Sequence, residues 1–234
     1  MRLLITLKST CDCSYEYINK HAIQGMLYSL LKNTELQHYH DSSRFKFFTF
    51  SDIFPVSDFQ RNVTKNLLIA SPNEQFIETL WGSLKTRNTV RIKGNDFVVS
   101  NLKRIHLRMK NRFISSSPIV LYKSNRTNKY YSFERDGNLD FFLERLKENA
   151  VKKYNAFYGE NFTLNEHIFD RLMFKKEVAV KDHKEGKEFI IIGSVWNVLE
   201  KFNIKEENTK FYKFIMDCGL GEKNSLGFGF VNPI

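Results

Sequence analysis

The chain closes on Gly219-Leu220-Gly221-Glu222-Lys223-Asn224-Ser225-Leu226-Gly227-Phe228-Gly229-Phe230, with four residues beyond it. Four glycines fall in two Gly-apolar-Gly pairs around a short polar insert. Ahead of it, Phe211, Phe214, Ile215 and Cys218 recur at helical spacing and predict a helix over about 207–217. Gly219 then reads as a helix stop in left-handed conformation. Beyond the insert, Phe228 and Phe230 alternate, so the second glycine pair is expected to open a strand. A helix–loop–strand element this rich in glycine lets backbone come close to a ligand, and Lys223, Asn224 and Ser225 offer donors to it. A phosphate backbone suits those groups. The same glycine content also fits a tight turn with a β-bulge. A dinucleotide fingerprint does not fit, because it needs a strand before the glycines and a helix after them.

Composition narrows the classes. The 234 residues carry 42% hydrophobic side chains and 22 phenylalanines, as a folded chain does and a disordered one does not. No apolar run approaches the roughly 18 residues of a membrane span. The N-terminal apolar stretch is too short for a signal peptide and reads as a strand. Cys11, Cys13 and Cys218 have no zinc spacing and form an odd set, so a reduced, cytoplasmic protein is expected. The net charge of +10 is segregated: between Leu84 and Arg135 stand 13 Lys/Arg against Asp96 and Glu134. Such a block points to a polyanion partner. No amphipathic basic helix accompanies it, which argues against a membrane surface.

Taken in order, residues 2–8 read as a strand and Ser14–Asn33 as a helix with Ile23, Met26, Leu27, Leu30 and Leu31 on one face. At about 100° per residue, Tyr28 lies about 140° from Ile23 and within about 20° of His21, off the apolar stripe. Phe45–Phe50 is expected as a strand with Lys46, Phe48 and Phe50 on one face. A strand at Asn66–Ser71, a helix over Pro72–Lys85 and strands at Val90–Ile92 and Asp96–Met109 complete a β-α-β-β-α-β order. Ser115-Ser-Ser-Pro118 marks an internal boundary. A strand at Pro118–Lys123, a hairpin, a helix from Asn138 to about Tyr158, and paired strands at Phe174–Val180 and Glu188–Val198 follow. With the C-terminal helix, loop and strand they repeat the order. The fold class is α+β.

Gly219–Gly229 resembles the signature of the CRISPR repeat-RNA endoribonucleases, the Cas-six family. The resemblance implies two tandem ferredoxin-like domains of RNA-recognition type, here 1–114 with the catalytic residues and 115–234 with the glycine-rich loop. It implies metal-independent cleavage of CRISPR precursor RNA within its repeats, by attack of a 2′-hydroxyl, giving a 2′,3′-cyclic phosphate and a 5′-hydroxyl. A catalytically inactive repeat-RNA binding protein is the alternative. The family's active site is similar to a tyrosine in the first helix, a histidine beyond it and a lysine opening the next aromatic strand. Those positions match Tyr28, His40 and Lys46. His38, two residues from His40, is a second candidate, so one can serve as base and the other as acid. The reaction needs such proton-transfer groups, and histidine suits either role with its pKa of about 6.5.

On the same resemblance Gly219, Gly221, Gly227 and Gly229, with Lys223, Asn224 and Ser225, form an RNA-backbone cradle. No metal and no cofactor is expected, since carboxylates near the candidate site amount mainly to Asp41 and Asp52. The partner implied is CRISPR repeat RNA, precursor and mature guide; an interference complex and a homodimer are further candidate assemblies. The ring-stacking motif of common RNA-recognition modules does not stand out in either half.

Overall fold

Leu3, Ile5 and Leu7 alternate along β1 (Arg2–Ser9) and are buried. That is the period-two pattern of a strand with one face on a core. The computed structural model describes residues 1–39, 45–124, 129–184 and 187–234. The chain divides into two units: Met1–Leu107 with Ser225–Gly227, and Arg108–Asn224 with Phe228–Ile234.

In the first unit, β1 is followed by α1 (Lys20–Leu31), whose Ile23, Met26, Leu27, Leu30 and Leu31 are buried. The helix starts later than Ser14 because Asn19 caps it, accepting from the Ala22 amide at 2.9 Å. Tyr15–Tyr17 forms a separate 3-10 turn ahead of that cap. Then come β2 (Thr49–Phe50), β3 (Thr64–Ala70), α2 (Glu74–Arg87), β4 (Thr89–Ile92) and β5 (Asn95–Ile105). The sheet runs β2-β3-β1-β5-β4 with every neighbouring pair antiparallel. β3 inserts between β1 and β2, the split β-α-β arrangement of a ferredoxin-like fold, and β4 is an added edge strand.

One expected strand is corrected. Regular structure in the aromatic stretch is confined to Thr49–Phe50, because Phe47 sits at φ +45° and interrupts the extended chain. Ser71 Oγ holds this turn by donating to the Phe47 carbonyl at 2.7 Å. Lys46 therefore does not share a strand face with Phe48 and Phe50, which are fully buried. A positive φ is unfavourable for a bulky residue, and the bend it makes re-aims Lys46.

The second unit begins at β6 (Arg112–Ser115), earlier than the strand expected at Pro118–Lys123. That later stretch instead contributes to a small hairpin, β7 (Tyr122–Ser124) with β8 (Lys129–Tyr130). After the short α3 (Phe133–Asp136) come α4 (Leu139–Tyr158), β9 (Arg171–Lys184), β10 (Lys187–Glu200), α5 (Thr209–Cys218) and β11 (Val231–Pro233). α4 is bounded by an Asn138 cap on the Phe141 amide and by Gly159 in left-handed conformation. The sheet order β11-β6-β10-β9, antiparallel throughout, gives this unit the same ferredoxin-like topology. Phe142, Leu146 and Ala150 of α4 and Phe211, Phe214 and Ile215 of α5 are buried, as are Ile191 and Val198 of β10. Among the described residues no helix is long and apolar enough to cross a membrane.

Candidate active site and glycine-rich loop

Lys20, Gln24 and Tyr28 stand four residues apart on α1 and so form one stripe along it. This stripe meets Ser225–Gly227, the three loop residues that belong to the first unit. Lys20 Nζ donates to the Gly227 carbonyl at 2.9 Å and pairs with Asp52 at 2.5 Å. Gln24 Nε2 donates to the Ser225 carbonyl at 2.8 Å.

Lys46 Nζ completes this arrangement. It donates to Tyr28 Oη at 2.9 Å and stands 4.9 Å from the ring centroid. The Tyr28 ring meets Phe48 edge-on, at 6.3 Å between centroids. Burial pushes the Tyr28 hydroxyl up to about 12, with the Ser225 hydroxyl opposing it. At neutral pH the tyrosine is therefore a neutral hydrogen-bond donor beside a cation, and no base.

His38 lies on a 3-10 turn, Gln37–Tyr39, and is exposed. Its Nδ1 is 2.9 Å from the Glu35 carbonyl oxygen. A carbonyl only accepts, so Nδ1 carries the proton of the neutral ring and Nε2 keeps a lone pair for base chemistry. Tyr39 anchors the turn by ring contact with Phe76 at 5.6 Å and by the Asn73 amide at 3.3 Å. His40 lies outside the described residues. The structure thus brings Tyr28 and Lys46 together, ties the Ser225 carbonyl to the same helix through Gln24, and places His38 on a turn after that helix. Among the described residues no group of three or more His, Cys, Asp or Glu could hold a metal ion.

The glycines answer chiefly to the chain's own packing. A Cβ at Gly221 would strike the Val120 carbonyl, at Gly229 the Leu220 carbonyl, and at Gly227 the Phe50 ring. All three have positive φ. Gly219 ends α5 with its amide on the Ile215 carbonyl, yet at φ 85°, ψ 162° it is not in the left-handed helical region expected of it. The Leu220, Glu222 and Gly229 amides donate to the Gly229, Val120 and Pro118 carbonyls. The Asn224 side chain is buried, with Nδ2 donating to the Leu220 and Phe228 carbonyls at 3.0 Å each, so it ties the loop together. Lys223, at φ +56°, stands 5.7 and 5.8 Å from the stacked rings of Tyr122 and Tyr130.

Sequence reasoning missed Lys153. It lies within α4, 3% exposed, and donates to the Gly219 and Gly221 carbonyls and to Asn224 Oδ1 at 2.8, 3.0 and 2.7 Å. Three acceptors need three N–H groups, which only the ammonium has. Burial pulls its pKa below the ordinary lysine range. The signal was present in the sequence: Leu146, Ala150 and Lys153 continue the apolar stripe of α4, a charge at a core position. The basic block is also less uniform than its count suggests. Lys85 and Arg104 flank Trp81 at 4.0 and 4.3 Å, and Arg104 makes a two-pronged bond to Glu78 at 2.8 Å.

Two ferredoxin-like units with a glycine-rich loop ahead of the last strand define a tandem protein of RNA-recognition fold type. Residues 100–233 match the family model "CRISPR associated protein Cas6, C-terminal". The chain is 51% identical, over the full length of both, to "CRISPR-associated endoribonuclease Cas6 2" of Methanocaldococcus jannaschii. It is 27% identical to "CRISPR-associated endoribonuclease Cas6 1" of the same organism, covering 99% of this chain and 92% of the other. A solved structure described as "CRISPR associated protein Cas6" superposes with a TM-score of 0.74 at 26% identity, over 100% of this chain and 99% of that one. The chain belongs to the Cas6 family.

Proposed function

We propose that this protein is a cytoplasmic endoribonuclease that cleaves CRISPR precursor RNA within its repeats without a metal ion. The Lys46–Tyr28 contact, at 2.9 Å, is the observation that carries the reading. Membership in a family whose full-length relatives are named endoribonucleases supports it.

In the mechanism a histidine, His40 or His38, takes the proton of the 2′-hydroxyl while its oxygen attacks the adjacent phosphorus. The P–O5′ bond breaks, and the departing 5′-oxygen receives a proton from the other histidine or from solvent. Lys46 supplies positive charge to the phosphorane and Tyr28 a neutral hydrogen bond. The products are a 2′,3′-cyclic phosphate and a 5′-hydroxyl. Lys223 and the outer surface of the glycine-rich loop contact the RNA backbone, and the basic residues between Lys85 and Arg135 supply further phosphate contacts. Affinity should then fall with salt.

The test is cleavage of a repeat RNA in excess EDTA, beside the same RNA with a 2′-deoxy group at the scissile nucleotide. The first is expected to be cut with a cyclic-phosphate end and the second to stay intact. Loss of cleavage on chelation would sink the mechanism, and binding with no cleavage even in Mg²⁺ would make the protein a repeat-RNA binder. The pH profile is a second expected result. Tyr28 stays protonated until about pH 12, so Tyr28→Phe should lower the rate equally at every pH from about 6 to 9, where histidine alone titrates. A profile whose alkaline limb vanishes in Tyr28→Phe would contradict this.

A further inference from the structure

Position 223 would suit glycine, and the chain carries a lysine there. Lys223 stands at φ +56°, a conformation costly for a residue with a Cβ. That backbone sets its Nζ 5.7 Å from the Tyr122 ring and 5.8 Å from the Tyr130 ring. All three residues belong to the second unit. The loop reaches the rings through a fixed joint. The Glu222 amide donates to the Val120 carbonyl at 2.7 Å, and Gly221 has no Cβ to strike that same carbonyl. Lys223 is the residue after this joint on the loop, and Tyr122 lies two residues past it on the hairpin.

The hairpin has two unlike faces. Tyr122 on β7 and Tyr130 on β8 are direct cross-strand partners, with ring centroids 5.1 Å apart and planes at 21°. Their chain neighbours Leu121 and Tyr131 turn the other way and are buried, with Tyr131 Oη donating to the Asn138 carbonyl at 2.6 Å. Tyr122 and Tyr130 are half-buried, and Lys123 and Lys129 beside them are exposed. This two-stranded sheet is separate from the four-stranded sheet of the unit. A wetted sheet face ordinarily carries polar side chains. A ring pair with an ammonium beside it instead complements one nucleotide of a single strand, the rings for its base and the cation for its phosphate.

From this geometry we infer that Tyr122 and Tyr130 form a stacking platform for one unpaired RNA base, with Lys223 on the adjoining phosphate. The base is unpaired because inside a helix both of its faces are covered by neighbouring bases. Every base has a π-face, so the platform fixes the place of the strand and tolerates any sequence there. The inference rests on the proposed function for the ligand being RNA, and it needs no cleavage.

The experiment measures, over a range of salt, the Kd of the full chain for repeat RNA with a 2′-deoxy scissile nucleotide. In a second set of RNAs each unpaired nucleotide in turn is made abasic. One abasic position is expected to weaken wild-type binding about tenfold, as loss of a stacked base does. Tyr122→Leu and Tyr130→Leu should each bind the intact RNA about fivefold or more weakly. Both should keep the wild-type salt slope and lose little more at that abasic position. Replacing both tyrosines by phenylalanine should preserve affinity, because rings suffice. Lys223→Met should lower the salt slope by about one unit. Folded Leu variants with wild-type affinity would overturn the platform. So would an abasic loss that adds in full to theirs, since the base would then lie elsewhere. If neither Leu variant folds, ultraviolet cross-linking of wild type to the intact RNA decides, and no adduct at Tyr122 or Tyr130 would overturn the platform. Wild type that does not bind repeat RNA would end both this inference and the proposed function. Binding without cleavage of the unmodified RNA would end the reaction and leave the platform to the same measurements.

Discussion

Lys46→Met is expected to slow single-turnover cleavage of repeat RNA by about 10²–10³-fold while leaving affinity close to wild type. That magnitude is typical when one preorganised donor to a developing negative charge is removed. Lys46 is the cation on the Tyr28 hydroxyl at 2.9 Å and also lies over its ring. Methionine keeps the length and removes the charge, so on the proposed mechanism the phosphorane loses electrostatic support and Tyr28 loses the neighbour that polarises it. On the proposed function affinity is spread over many basic residues of the Lys85–Arg135 block, and one lost phosphate contact lowers the salt slope by only about one unit. Lys46→Arg keeps charge but presents a planar fork in place of a compact ammonium, so a partial loss is expected. A Lys46→Met rate within about fivefold of wild type would remove this residue from the chemistry. Parallel loss of rate and affinity would make it a binding residue.

The largest stability effect is expected at Lys153, which no functional motif flagged. Lys153→Met leaves the Gly219 and Gly221 carbonyls and Asn224 Oδ1 without their shared donor in a buried setting. Removing one member of such a buried polar set typically costs about 3–5 kcal/mol. For a chain of this length each kcal/mol moves Tm by about 2–4 °C, so a fall of roughly 6–20 °C is expected by calorimetry. Asn224 loses its anchor at the same time, and the loop it ties together through Leu220 and Phe228 should become open to proteolysis between Gly219 and Gly229. A variant with unchanged Tm and an uncut loop would show that the three oxygens find other partners. Cleavage should fall as well, but through disorder of the loop, so low temperature should recover part of it.

Periodicity made the architecture readable. The apolar spacing along Ile23–Leu31 and along α4 and α5, with the alternation of β1, predicts the order of elements in both units. Local sequence offers Ser14 as a start for α1 because capping residues are common, but it is the Asn19 side chain that accepts from the helix's first turn. The Phe45–Phe50 strand failed for a different reason. Aromatic residues favour strands anywhere, and nothing local announces that Phe47 will take a positive φ.

The sequence by itself determined two α+β units, the place of the glycine-rich loop, the position of Tyr28 off the apolar face of its helix, and the concentration of positive charge in the middle of the chain. These are properties of neighbours, written in spacing of two to four residues or in a run of like charges. Tertiary structure alone decided what the loop's polar groups face: Asn224 inward, Gly219 and Gly221 onto Lys153, Ser225 and Gly227 onto Gln24 and Lys20. Those partners stand 66 to 71 and 201 to 207 residues away along the chain. A buried donor is satisfied by whatever acceptor the packed core brings within about 3 Å, and no local pattern encodes a distance that only folding closes.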